Sequence, residues 1–178
     1  VFLGFFFFWR LLGGGGLLGE FVLQSASSFS QRLRSAGFRC REVMDFEAAC
    51  WHKLAVNASL NVVASLHGFT NGEVLNHAQA SALARAVSRE VREVALAEGV
   101  DWGEADPWIL TSRIAAQTSS NVCSTLADLR AGRPTEYDSI NGELIRRGQA
   151  SGLPVPALLE LDRRFHGLRT GSGWEQAC

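Results

Sequence analysis

Three polar side chains recur at a spacing of four in an otherwise apolar stretch, residues 51–61 (WHKLAVNASLN): Lys53, Asn57 and Asn61. Because an α-helix turns about 100° per residue, four residues drift by only about 40°, so the ammonium and both carboxamides share one helix face. The rest of the helix is apolar nearly all round, which predicts burial. An unpaired buried ammonium is costly. The stripe must therefore face water, internal hydrogen-bonding partners or a ligand, and by itself it does not decide among these.

Two further side chains that could bind a polar ligand lie in the run SSNVCSTLADLRAGRPTEYDSING. Ser124 is expected on the third long helix, a few turns before its end. Glu136 is expected in the first turn of the fourth, directly after the cap Thr135. Each has an ordinary explanation when taken alone. Ser124 could be a hydroxyl on a helix face, and Glu136 a carboxylate that complements a helix dipole.

The elements that position these side chains change in kind near residue 45. Residues 1–44 predict strand, turn, strand, helix and strand, with Gly37 closing the helix. From Asp45 onwards, capping residues and terminal glycines predict helices only. These helices cover about 45–67, 70–99, 106–132 and 135–152, and a last one follows Pro156.

Composition excludes several classes of protein. A chain of 178 residues, 47% of them hydrophobic, can bury a core, and a net charge of -1 offers no field for nucleic acid. Four cysteines without a CxxC pair predict reduced thiols and a cytoplasmic protein. Four histidines without ligand spacing predict no metal site. The first apolar run breaks at Arg10, too short to span a bilayer, and the sequence looks truncated at its start.

Several separated motifs, among them WHKLAVNASLN and GFTNGE, together resemble the C-terminal helical domain of ketopantoate reductase (2-dehydropantoate 2-reductase). In that family asparagines follow a lysine at four, eight and eighteen positions, and a serine lies twelve positions before the glutamate of a T-E-I-D-x-I-N-G run. The matching residues here are Lys53, Asn57, Asn61, Asn71, Ser124 and Glu136. Tyr137 replaces the usual isoleucine. The resemblance covers roughly residues 17–167.

This resemblance implies a mainly α fold. Residues 45–178 would form a helical substrate-binding bundle of the 6-phosphogluconate-dehydrogenase-like type. Residues 1–44 would be a short α/β remnant of a Rossmann domain. A second copy of the chain, giving a homodimer, is a further candidate partner.

The resemblance also implies a reaction, the NADPH-dependent reduction of ketopantoate to D-pantoate in pantothenate and coenzyme A biosynthesis. Lys53 would be the general acid, because a lysine ammonium is protonated at neutral pH and can give a proton to the developing alkoxide. Glu136 would accept hydrogen bonds from the substrate hydroxyl and help to position Lys53. The substrate's carboxylate and hydroxyls would be held by Asn57, Asn61, Asn71 and Ser124.

A glycine-rich run, GGGLLG at Gly14 to Gly19, formally fits the dinucleotide fingerprint G-x-G-x-x-G. The chain reaches the lysine helix only a few dozen residues later, too soon for a complete dinucleotide-binding unit. We therefore interpret the run as compositional and leave the cofactor-binding residues unidentified. NADPH would be bound mainly by a domain missing from this chain. The chain alone should therefore not catalyse the reaction.

Two alternatives stay open. The first is a relative that reduces another small 2-keto acid. The second is a non-catalytic helical module that dimerises or binds a small acid, which the apparent truncation favours and the intact set of six residues disfavours. The sequence upstream of Val1 would separate enzyme from module.

Overall fold

The computed structural model describes residues 5–8, 11–12, 16–17, 20–23 and 28–170. Its contacts divide the chain into two compact units, Val1–Cys50 and Trp51–Cys178. The division falls inside a long helix, a few residues after the change of pattern near residue 45. The assignment of residues 1–44 to a cofactor-domain remnant and of 45–178 to a substrate domain stays a prediction.

The described part of the first unit contains a strand–helix–strand motif. Its strands are β1 (Phe5–Phe8), β2 (Leu11–Leu12), β3 (Gly16–Leu17), β4 (Glu20–Leu23) and β5 (Arg39–Glu42). Helix α1 (Ser28–Ser35) connects β4 to β5, which pair in parallel, and β1 pairs antiparallel with β4. Strands β2 and β3 form a separate antiparallel pair. The predicted strands are present as β1, β4 and β5 and the predicted helix as α1, whereas the additional short pair β2 and β3 was not predicted. Gly37 follows α1 with a φ of 87°.

One helical segment then runs over residues 46–67. It consists of α2 (Phe46–Val56), a first π turn (Asn57–Asn61) and α3 (Val62–His67). Asp45 caps it, since its Oδ1 accepts from the amide of Ala48 at 2.9 Å, and Gly68 ends it in the left-handed region. The predicted helix and both of its ends are confirmed. The π turn, in which the backbone bonds shift from i+4 to i+5, leaves no trace in an apolar pattern.

The capping box at Thr70 and Glu73 is present, with the Thr70 amide donating to Glu73 Oε2 at 2.7 Å. The single long helix predicted after it is wrong. Two helices follow, α4 (Asn71–Asn76) and α5 (Ala78–Ala97). They are separated by His77, which is extended at φ −101°, ψ 112°. Its ring Nδ1 accepts from the Ala80 amide at 3.3 Å and so caps α5.

The predicted third helix is also interrupted. It consists of α6 (Pro107–Gln117) and α7 (Ser124–Arg130). The first amides of α4 need acceptors from outside their own helix, and the interruption supplies them. Asn71 N donates to Asn121 O, and Gly72 N donates to Ser119 O, both at 3.0 Å. Ser124 is consequently the first residue of the seven-residue helix α7. It precedes the end of that helix as predicted, but the helix is not continuous with α6.

The remaining elements follow the prediction closely. They are a second π turn (Asp138–Gly142), α8 (Glu143–Ala150) and α9 (Pro156–Thr170). No helix within residues 28–170 is long and apolar enough to cross a bilayer.

Helix α5 lies at the centre of the bundle and contacts α4, α6, α8, α9 and the first π turn. Its valines Val87, Val91 and Val94 are completely buried, at the spacing of three and four expected of a core-facing helix. The two π turns also contact each other. The first π turn therefore packs against α5 and against the second π turn, both of which lie later in the chain.

Glu90 on α5 docks the start of α9. Its carboxylate accepts from the amides of Ala157 and Leu158 at 2.7 and 2.8 Å, which supplies acceptors for two amides in the first turn of that helix. Burial raises the pKa of this carboxyl and outweighs the two hydrogen bonds, which lower it.

Candidate functional site

The predicted burial of the lysine-bearing helix is confirmed. Between residues 55 and 65, every residue is buried except Asn57 and Asn61, which are half-buried. Lys53, one turn earlier, is half-buried as well. From residue 55 to residue 65 the stripe is thus the accessible edge of a helix that is otherwise enclosed, whereas beside Lys53 the residues His52 and Leu54 are half-buried too.

The first π turn begins at Asn57 and ends at Asn61. Besides α5, it contacts α4, α6, α7 and the second π turn. Single π turns inside α-helices are rare and occur frequently at functional sites. Here the turn replaces the uninterrupted α-helix on which the shared face was predicted.

Asn71, the first residue of α4, is only 8% exposed, and its side-chain orientation is determined by its partner. Its Nδ2 donates to Thr118 Oγ1 at 2.9 Å, and the Thr118 hydroxyl uses its own proton to donate to Ile114 O at 2.7 Å. Thr118 can therefore only accept from Asn71, which assigns the amide nitrogen to that side. The buried Asn71 Oδ1, which has no hydrogen-bond partner in the structure, remains as an acceptor for a donor group.

Ser124 is exposed in the first turn of α7, and the preceding residue connects it to the stripe. The buried thiol of Cys123 donates to Asn61 O at 3.3 Å, lies 3.6 Å from Ser65 Oγ and accepts from the Leu126 amide at 3.5 Å. It thereby caps α7. Burial raises the pKa of this thiol, so it stays protonated at neutral pH and keeps its donor.

Glu136 is exposed and lies immediately before the helical backbone, which begins at Tyr137. It was predicted one residue further in, within the first turn. Its carbonyl oxygen accepts from the Ile140 amide at 3.0 Å and from Ser139 Oγ at 2.9 Å. Five residues after it, Asn141 Nδ2 donates to Ala58 O, in the first π turn, at 3.0 Å.

Tyr137, which replaces the isoleucine expected from the family pattern, anchors the Glu136 segment to α9. Its ring stacks on Phe165, with centroids 4.0 Å apart and planes 13° from parallel, and its hydroxyl donates to Asp162 Oδ1 at 3.0 Å. Burial raises the pKa of the Tyr137 hydroxyl, and the hydrogen bond to Asp162 raises it further. The substitution therefore adds a ring contact and a hydrogen bond that isoleucine could not make.

We expect Tyr137→Ile to lower the free energy of unfolding by about 2–3 kcal/mol, since a fully packed ring and its stacking partner are lost. Tyr137→Phe keeps the ring and loses the hydrogen bond, so it should cost only about 1 kcal/mol. Urea unfolding followed by circular dichroism measures both variants. A Tyr137→Ile protein as stable as the wild type would show that the stack contributes nothing.

The first π turn, which carries Asn57 and Asn61, contacts α4, α7 and the second π turn. Lys53 and the two stripe asparagines lie on one helical segment, Asn71 and Ser124 open contacting helices, and Glu136 precedes the second π turn. Thr118, Cys123 and Asn141 were not predicted. Asn141 stands in the S-I-N-G run, but only its burial shows that it faces inward.

A surface groove of about 540 Å³ lies elsewhere, between α4, α5 and α6. Arg85, Arg89 and Trp108 line it together with small residues of α5, and none of the six predicted site residues does. Arg89 is paired with Asp106 at 3.0 Å. The groove is thus separate from the predicted site. Within residues 28–170 no three metal-ligating side chains are grouped.

The described part of the glycine-rich run is a strand and not a phosphate-binding turn. This part, Gly16–Leu17, is strand β3, paired with β2, and the next described element along the chain is strand β4. A dinucleotide fingerprint requires a glycine turn that leads directly into a helix. The described residues of this chain therefore contribute no recognisable site for the cofactor pyrophosphate.

Comparison with known proteins agrees with this geometry. The family model "Ketopantoate reductase PanE/ApbA C terminal" matches residues 45–168. The 2-dehydropantoate 2-reductase of Pyrobaculum aerophilum is 39% identical over 140 residues, which is 78% of this chain and 50% of that protein. That of Archaeoglobus fulgidus is 32% identical over 150 residues, or 84% and 50%. The crystal structure of a PanE/ApbA family ketopantoate reductase from Ralstonia eutropha JMP134 superposes with a TM-score of 0.73 at 30% identity, covering 83% of this chain and 50% of that one.

A helical bundle that follows a strand–helix–strand motif along the chain, with a polar stripe on one enclosed helix, is the architecture seen in the C-terminal part of ketopantoate reductases. The chain belongs to the ketopantoate reductase family and carries its C-terminal helical domain. It spans about half the length of the curated relatives it matches.

Proposed function

We propose that this protein reduces ketopantoate to D-pantoate and that the present chain supplies the domain that binds the keto acid. One observation carries the proposal. The only half-buried residues between positions 55 and 65 are two asparagines, and they lie on a π turn that contacts α4, which begins with Asn71, and α7, which begins with Ser124. NADPH, bound by a further domain, would supply the hydride.

The role of Lys53 follows from the charge that develops in such a reaction. Addition of hydride to the ketone carbon leaves negative charge on the oxygen, which an ammonium stabilises and then protonates. An arginine could stabilise the charge but would not give up its proton. Lys53 is the single lysine among the 17 lysine and arginine residues of the chain. Glu136 would accept a hydrogen bond from the substrate and orient Lys53.

The fixed orientation of Asn71 indicates which part of the substrate it contacts. Its free Oδ1 is an acceptor, so it would repel a carboxylate and would accept from a hydroxyl, which ketopantoate carries at C4. The substrate carboxylate would then bind to donors elsewhere, from Asn57, Asn61 and Ser124. This division of roles explains why a half-buried stripe and a buried amide would serve one ligand.

The C4 hydroxyl offers a direct test. With the whole protein and NADPH, ketopantoate should be reduced with a kcat/KM at least about 100-fold above that of 3,3-dimethyl-2-oxobutanoate, which lacks only the hydroxyl, because a buried acceptor left unpaired is costly. Asn71→Leu should remove most of this preference by lowering the rate with ketopantoate alone. NADPH oxidation measures both substrates.

The NADPH oxidation assay, combined with calorimetric titration of D-pantoate, separates the alternatives. Preference for the hydroxyl-free acid would identify a reductase of another 2-keto acid and contradict the assigned role of Asn71. Binding of D-pantoate without NADPH oxidation in the whole protein would identify a non-catalytic binding module.

A further inference from the structure

Asn141 contacts the backbone of the first π turn from a distant part of the chain. It is 1% exposed, and its Nδ2 donates to Ala58 O at 3.0 Å. Ala58 lies inside the turn, directly after Asn57 and three residues before Asn61. The contact is therefore made to the five-residue segment that carries both half-buried carboxamides.

The hydrogen bond to Ala58 determines the orientation of the Asn141 side chain, and this orientation leaves the other end of the amide without a hydrogen-bond partner. Because a carbonyl oxygen only accepts, the amide nitrogen must face Ala58. Its Oδ1 is then buried without a hydrogen-bond partner in the structure. Burying such a group without a partner is destabilising, whereas an apolar side chain of similar volume at that position would avoid this cost. A purely space-filling role does not account for an asparagine here.

The contact also links two parts of the predicted site. Asn141 lies on the second π turn, which begins two residues after Glu136, while Ala58 follows Lys53 on the same helical segment. The bond thus joins the first π turn to the segment that follows Glu136. Cys123 makes a comparable contact at the far end of the turn, to Asn61 O.

We propose that Asn141 is a positioning residue, whose hydrogen bond to Ala58 holds the first π turn so that Asn57 and Asn61 present their carboxamides to the keto acid. The inference rests on the proposed function only for the identity of the ligand. The effect on the π turn itself is independent of it.

The test uses Asn141→Leu, which keeps the volume and removes both the donor and the unpaired oxygen. We expect it to fold with wild-type or higher stability, to show faster hydrogen exchange at the amides of residues 57–62, and to bind D-pantoate about tenfold more weakly, as expected for one lost hydrogen bond. Isothermal titration calorimetry measures the affinity. Asn141→Ala is the second variant, in case leucine does not pack.

A double-mutant cycle with Asn57→Ala separates positioning from general destabilisation. If Asn141 acts through Asn57, the double variant binds little more weakly than Asn57→Ala alone, so the two effects are not additive. Glu90→Ala is the matched control. Like Asn141→Leu, it removes side-chain hydrogen bonds to the backbone of another helix, but these bonds lie at the start of α9 and not at the first π turn. It should lower stability and leave exchange at residues 57–62 and D-pantoate affinity unchanged.

The outcomes are distinct. In one outcome, Asn57→Ala weakens D-pantoate binding, but Asn141→Leu changes neither hydrogen exchange at residues 57–62 nor D-pantoate affinity. This result would overturn the role of Asn141 and leave the proposed function intact. Altered exchange without any D-pantoate binding by the wild type would overturn the proposed function and retain the effect of Asn141 on the turn. Additive losses in the cycle would overturn the positioning role.

Discussion

Lys53→Ala is expected to lower the kcat for ketopantoate reduction by about 10²–10⁴-fold, the range that a positioned general acid contributes. The reason is that the alkoxide formed on hydride addition would lose both its stabilising charge and its proton donor. NADPH affinity should stay near that of the wild type, since no described part of this chain resembles a pyrophosphate site. Steady-state kinetics and fluorescence titration of NADPH measure the two quantities on the whole protein.

Lys53→Arg is the informative companion to the alanine variant. It keeps a positive charge near the substrate but cannot release a proton at neutral pH, so KM should be largely retained while kcat stays low. Turnover close to the wild-type value in either variant would remove Lys53 from the mechanism. In the present chain, whose only lysine is Lys53, reductive ¹³C-methylation gives one lysine signal, whose pH titration can be followed by NMR.

Gly72→Ala is expected to cost about 2–3 kcal/mol of stability, which is large for a single methyl group. A Cβ built at Gly72 would lie 2.8 Å from Ser119 Cβ, 3.0 Å from Ser119 O and 3.1 Å from Ser119 Cα, so backbone must move to admit it. The movement would strain the bonds by which Gly72 N and Asn71 N donate to the segment before α7. Because that segment leads into Ser124, D-pantoate affinity should fall as well.

Gly167→Ala is the control for Gly72. Gly167 is an exposed position inside α9, where a Cβ would meet nothing within 4 Å, so alanine should raise stability by up to about 1 kcal/mol through its better helix propensity. Thermal unfolding of both variants provides the comparison. If Gly72→Ala unfolds at the wild-type temperature, then α4 and the segment before α7 are not in the close contact described.

The signals that predicted correctly are local in sequence. Asp45, the Thr70–Glu73 capping box and Pro156 mark helix starts, and Gly37 and Gly68 mark helix ends, because each acts on a backbone only a few residues away. The all-round apolar character of residues 51–65 likewise predicted an enclosed helix, which depends only on composition around one helical wheel.

The signals that failed depend on distant partners. The run TSSN at residues 118–121 is a local signal for a loop, which the prediction of one long helix did not use. What the local pattern does not show is that the carbonyls of Ser119 and Asn121 accept from the first amides of α4. The break at His77 is similar, because a histidine rarely caps a helix and does so here through its ring.

The sequence by itself determined the class of fold, the order of most helices and the family, because caps, apolar periodicity and motif spacing are properties of the chain alone. The tertiary structure decided how the polar groups point. The oxygen of Asn71 is available because Thr118 gives its proton to Ile114, and the first π turn contacts Asn141 through a bond that joins residues 83 positions apart. Hydrogen-bond direction depends on partners that only folding brings together, which is why spacing could identify these residues but not orient them.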